Sequence, residues 1–216
     1  MINRTTISGK IFTIVFALSA AYWPTVGITG TGVNPQNIAI NEVFYKGDSS
    51  EDWIELINRG SEAVDISGWR WCSRFTYPTI QASQILSGNA DLIIEPGEII
   101  ALSATIDLND NEADLGLFIS APFSNATNMV DFLQWGTSTD TGRPDVALAK
   151  NIWLEITPGV YDFIPVSGST ESVSWCGTES GGGMLTTSLD FFNGSQSQGM
   201  PNDFLSCDLV FINGFE

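Results

Sequence analysis

Six oxygen-bearing side chains crowd the stretch DLNDNEAD: Asp107, Asn109, Asp110, Asn111, Glu112 and Asp114. Carboxylate and amide oxygens at that density are the ligands a hard cation such as calcium takes. The helix-loop-helix calcium pattern is not met. Glu112 stands where its sharp turn needs glycine, and Phe118 where it needs a bidentate carboxylate. Calcium is the one cofactor the composition suggests. Without it, the loop reads as a solvated turn whose charge keeps sheet edges from pairing.

Other chemistry is harder to assemble. The chain has no histidine, so neither a Ser-His nor a Cys-His pair can form, and the commonest general base is missing. Three scattered cysteines without imidazole do not make a zinc site. The SGGGM run lacks the lysine and helix of a phosphate-binding loop. A carboxylate pair could run glycoside hydrolysis, but acids are so common here that any one pair carries little weight. The expectation is a protein that is not an enzyme.

The charge is lopsided, with 25 acidic against eight basic residues. That balance disfavours nucleic acid and anionic bilayers and favours solubility or basic partners. Arg59, Arg70 and Arg74 form the only local basic cluster in the sequence.

The opening MINRTTISGKIFTIVFALSAAYW reads as a signal peptide. Arg4 and Lys10 precede an apolar run at 11–18, and Ser19-Ala20-Ala21 offers small residues for cleavage after Ala21. The run is short for a membrane span. Residues 22–33, rich in Gly and Thr, read as a linker. Export brings an oxidising compartment, so one disulfide is expected among Cys72, Cys176 and Cys207, with one thiol left over. GWRWC and VSWC share a Trp-Cys pair, which favours Cys72–Cys176. Cys176–Cys207 is the close alternative, because it would tie down the chain's last residues.

The elements that must position these residues are strands. NIAINEVFY, DWIELIN, AVDIS and WRWCS alternate with period two, and turns rich in Gly, Asn and Ser separate them. DLIIEPGEIIALSA sets two apolar runs around a Pro-Gly turn. LGLFIS, MVDFLQWG, VALA, NIWLEI, VYDFI and ESVSWC read as further strands. No helical pattern of useful length stands out, with a weak one at 82–90. Residues 177–207 are rich in Gly, Ser and Asn and read as loop or flexible extension.

NEVFYKGDSSEDWIELINRGSEAVDISGWRW resembles the lamin-tail domain, an immunoglobulin-like β-sandwich. The matching pieces are Ile40-Asn41-Glu42-Val43, Trp53-Ile54-Glu55-Leu56, Asn58, Gly60 and Val64-Asp65-Ile66-Ser67-Gly68-Trp69. LIIEPGEIIA and LQWG continue the likeness more loosely to Gly136, and GMPND at 199–203 is similar to the endings that follow such domains. The resemblance implies an all-β sandwich of lamin-tail type over 34–160. A β-rich extension at 161–207 would pack on it, and an apolar tail would close the chain at 208–216. It marks Trp53, Trp69, Gly68 and Glu55 as motif core, with both indoles buried between sheets. Asn58 and Gly60 would suit positive φ in a tight turn. Glu42 and Glu55, on neighbouring strands, either face solvent or meet backbone amides.

The function implied is a non-catalytic extracellular interaction or adhesion module. Its place would be outside the cell, secreted, periplasmic or at the surface, with a protein or a surface glycan as partner. The alternative is an accessory carbohydrate-binding module, with Trp71, Trp135 or Trp153 exposed in a shallow groove. DLVFINGFE at 208–216 looks like short aromatic endings of exported bacterial proteins, and it reads equally as a terminal strand.

Overall fold

The computed structural model describes residues 34–48, 50–177 and 183–202. Thirteen strands and one short helix follow in order: β1 (Ile38–Phe44), β2 (Trp53–Asn58), β3 (Val64–Asp65), β4 (Arg70–Cys72), β5 (Ile85–Ser87), β6 (Ile93–Ile94), β7 (Ile99–Ser103), β8 (Ala113–Phe118), β9 (Met129–Trp135), α1 (Pro144–Lys150), β10 (Glu155–Thr157), β11 (Val160–Tyr161), β12 (Glu171–Trp175) and β13 (Phe191–Ser195). The architecture is an all-β, immunoglobulin-like sandwich. The larger sheet has six strands in the order β13-β12-β1-β2-β7-β5, the smaller has three in the order β4-β8-β9, and β3-β6 and β10-β11 form two-stranded ribbons.

Period-two patterning explains the layers. On β2, Ile54 and Leu56 enter the shared core, where Ile40, Val43, Ile100 and Leu102 meet Leu115, Leu117, Phe132 and Leu133 of the smaller sheet. Trp71, Trp135 and Trp153 are at most 1% exposed. Rings of that size each remove enough area from water to contribute about 4–6 kcal/mol. Trp135 stacks on Tyr45 with centroids 4.5 Å apart and donates from Nε1 to the Asn109 carbonyl at 3.0 Å. Trp153 packs edge-on against Phe132 and donates to the Asp162 carbonyl at 2.9 Å.

Burial of these three tryptophans corrects one expectation, since none is left on the surface to bind sugar. The two motif tryptophans also differ. Trp69 joins the central core. Trp53 has the opposite parity to Ile54 and Leu56, and it is buried on the other face of the sheet, stacked on Phe44 at 6.1 Å.

Three local readings change as well. The VALA run is helical, not a strand. Four apolar residues cannot settle the period, and the decisive signals flank them: Pro144 in the first turn, Lys150 in the last, and Asn151 in the left-handed region at φ 63°. The 82–90 stretch forms one 3-10 turn, Ala82–Gln84, before β5. Asn58 and Gly60 do not take positive φ. Asn58 instead donates from Nδ2 to the carbonyls of Glu62 at 2.8 Å and Ile94 at 2.7 Å. Gly60 is needed for close approach, since a Cβ there would lie 2.2 Å from Asn37 Nδ2. Gly68 does adopt φ 78°.

The Gly- and Ser-rich stretch also holds more structure than its composition suggests. β13 lies inside it and pairs along β12 from Glu171–Ser195 to Trp175–Phe191. β12 in turn pairs with β1 at Glu42 and Val43. The residues after 160 thus complete the larger sheet. A fragment of residues 33–149 is expected to lose cooperative urea unfolding, because β1 becomes an uncovered edge. A fragment of residues 34–202 is expected to keep it; circular dichroism melts of the two compare them directly.

Candidate functional site

The family motif carries an electrostatic problem. β1 and β2 pair antiparallel with an extra residue between Ile40 and Glu42, and the shift sets Glu42 directly opposite Glu55. Like charges in that position repel, and both side chains are at most 1% exposed. Donors from later in the chain resolve it. Ser197 gives its N–H to Glu42 at 2.9 Å and its hydroxyl at 2.6 Å, and the Ser172 hydroxyl adds a further bond. Glu55 accepts the Gly199 N–H at 2.5 Å and the Asn41 amide at 2.6 Å. Asn202 closes the clasp with bonds from Nδ2 to the carbonyls of Asn41 at 3.0 Å and Trp175 at 2.8 Å. Burial still pushes Glu55 up to about 7, with the Gly199 and Asn41 donors pulling the other way and the Glu42 charge adding to the rise. These glutamates hold the chain's later segment in place.

The proposed calcium ligands do not converge. Asn109 Oδ1 accepts the N–H groups of Asn111 and Glu112 at 3.0 and 3.1 Å. Lys46 donates to the Asp110 carbonyl at 2.5 Å. Asp107, Asp110, Asn111 and Glu112 are exposed, whereas Asp114 is fully buried on β8. Among the described residues no group of three Asp, Glu or Cys side chains could hold a metal. Next to this loop, Asp52 accepts the Leu108 N–H at 3.1 Å, and burial lifts its carboxyl to about 7.

Cys72 is free and buried, while Cys176 is disulfide-bonded. The Cys72–Cys176 pairing is therefore not made. The shared Trp-Cys pair misled because Cys72 lies on β4 of the smaller sheet, whereas Cys176 follows β12 of the larger one. Cys207 lies outside the described residues, as do residues 1–33 and 208–216. Burial pushes the Cys72 thiol up to about 12, and the neighbouring Asp114 adds to the rise.

Asp114 has a second role that the sequence conceals. Its two oxygens accept the backbone N–H of Arg74 at 3.0 Å and of Arg143 at 2.7 Å, and its burial raises the carboxyl to about 6. One carboxylate thereby fixes a hairpin tip and the start of α1 side by side. The tip is Ser73-Arg74-Phe75-Thr76, closed by two backbone bonds at 2.8 and 3.2 Å. Arg74 and Phe75 have φ of 47° and 63°, so this is a type I′ turn, which favours Asn-Gly. Holding two residues with side chains there costs about 1–2 kcal/mol per residue. Phe75 is 54% exposed, and the Arg143 guanidinium lies 5.0 Å from its ring and 5.8 Å from that of Tyr77. Arg143 Nε also donates to the Tyr77 hydroxyl at 2.8 Å. Arg70 donates to the Tyr77 carbonyl at 3.0 Å. Tyr77 stacks on Phe123 at 4.0 Å. Of the three cations clustered in the sequence, Arg70 and Arg74 lie here with Arg143, while Arg59 lies over the Trp175 ring at 4.6 Å.

A sandwich of this topology, with its buried carboxylates bound to backbone amides, defines an immunoglobulin-like module. Residues 33–149 match the family model of the Lamin Tail Domain, and the chain belongs to that family. Comparison with curated proteins and with solved structures returns no match. The matched region ends before β12, β13 and the clasp, although these complete the same sheet.

Two outcomes are expected. Glu55, Asp52 and Asp114 hold protons in the folded state above the values of 4.5, 3.8 and 3.8 that apply when unfolded. Stability is then lost as pH rises through about 6–7 and regained as it falls. The melting temperature should rise between pH 8 and pH 5, and Glu55→Gln should flatten that rise. Glu55→Ala, which strands buried donors, should cost about 2–4 kcal/mol in urea titration. Peptide mapping of the native protein should find one disulfide, Cys176 with Cys207, and a Cys72 that alkylates only after unfolding.

Proposed function

We propose that this protein is an extracellular interaction or adhesion module that works by binding a protein partner through its surface. The observation that carries the reading is the use of its buried acids. Glu42, Glu55 and Asp114 are all committed to backbone N–H groups, which leaves the exposed loops to make contacts. A rigid sandwich presenting such loops is a common scaffold for recognition. Charge supports a protein over a nucleic acid, since 25 acids against eight bases repel phosphate. Among the described residues no helix is long and apolar enough to cross a membrane. The basic and apolar opening residues support export, and export places the module in the medium, the periplasm or at the cell surface.

Intact-mass analysis of the native protein from medium, surface, periplasm and cytoplasm tests this. The expected species lacks residues 1–21 and lies outside the cytoplasm. A full-length species confined to the cytoplasm contradicts the proposal.

A further inference from the structure

We infer that the Arg74–Phe75 hairpin tip is a docking site for an acidic peptide segment of a protein partner, one that sets a carboxylate beside an apolar side chain. The inference rests on the interaction-module reading and gives it a location. Its first support is a mismatch between turn and sequence. A two-residue turn with positive φ at both positions is served best by Asn-Gly, yet Arg and Phe occupy it. The backbone does not call for these side chains, and Phe75 is not drawn there by burial, because 54% of it faces water.

The second support is charge. Beyond residue 21 the chain has only six Lys or Arg residues, and Arg70, Arg74 and Arg143 gather around Tyr77 and Phe75. Among the described residues none of the three forms an ion pair, in a chain with 25 acids. The nearest carboxylate, Asp114, spends both oxygens on backbone N–H groups. Asp107 shares a shallow groove with Arg74 without bonding it. Arg74 is exposed, and its guanidinium has no partner among the described residues. Arg143 lies against two rings, an arrangement that holds a guanidinium in place for a carboxylate at little entropic cost.

The third support separates a peptide from an anionic polysaccharide. The site is a projecting tip with one exposed ring, since Trp71, Trp135 and Trp153 are all inside. It offers a long chain of sugars no run of aromatic platforms. A polyanion would also meet the repulsion of the acidic body along its length, whereas a short acidic segment on a neutral or basic partner would not.

The test is a titration of the full secreted chain with the amidated peptide GSDFELDSG and its uncharged counterpart GSNFQLNSG, read by amide chemical shifts. The acidic peptide is expected to move the signals of Ser73–Tyr77 and Arg143 and to weaken as salt is raised. Arg74→Asn and Phe75→Gly each fit the turn better than the natural residue. Both should therefore hold or raise the melting temperature while weakening binding by about tenfold or more. Equal binding of the two peptides, unchanged binding by either variant, or tighter binding of hexagalacturonate overturns the inference. An exported protein that ignores the peptides refutes the docking site and leaves the module reading standing. A cytoplasmic protein that binds them does the reverse.

Discussion

Two glutamates facing each other across neighbouring strands, both shut away from water, set the terms for this molecule. The extra residue in β1 puts Glu42 opposite Glu55, and the pairing is tolerable only while both carboxylates accept hydrogen bonds. Neither sheet ladder can supply them, because ladder N–H groups are already engaged. Asn41 and Ser172 supply side-chain donors, and the backbone donors come from residues more than 140 positions away in sequence, Ser197 and Gly199. This single requirement explains why a Gly- and Ser-rich stretch takes a fixed path, why Asn202 is buried, and why β12 and β13 belong to the same sheet as the motif strands. The region that defines the family thus depends on chain that lies beyond the family match.

The same device recurs at Asp114 and Asp131. Asp114 ties the Arg74 turn to Arg143, the residue that precedes α1, and Asp131 accepts the Ile40 N–H at 2.8 Å, joining the smaller sheet to β1. A strongly acidic chain uses part of its charge as internal fasteners for stray backbone donors. Each fastener spans distant sequence, so each one constrains topology as well as adding stability. The cost is a set of carboxyl groups raised above their ordinary range by burial, which links the fold to pH. By contrast, Arg70, Arg74 and Arg143 gather near one hairpin tip, while Arg59 lies over Trp175.

Much of the fold was legible because period-two alternation survives wherever a strand has one wet face or one polar face. DWIELIN shows it, with Ile54 and Leu56 inward. The helix was missed because α1 is seven residues long, too few for its period to separate from a strand's. The tryptophans of WRWCS, LQWG and NIWLEI were recognised as large apolar groups, but sequence could not say whether an indole is inside or out. Partners from distant sequence were least legible. Nothing near Glu55 indicates that Gly199 completes it, although GMPND was noticed as a motif. Asp114 was noticed for the wrong chemistry, since an acidic run suggests metal until the backbone N–H groups of Arg74 and Arg143 are placed against it. The hairpin tip at Arg74 and Phe75 left only Arg70 and Arg74 as a trace, and Arg143 joins them through topology alone.

The most direct measurement is native-state hydrogen exchange at the Ser197 and Gly199 amides. If the two glutamates depend on these donors, both amides should exchange only through opening of the whole sheet, with protection close to that of β1 and β2. Exchange at open-chain rates, while β1 and β2 stay protected, would contradict the account. It would show that the buried glutamates are held without the clasp.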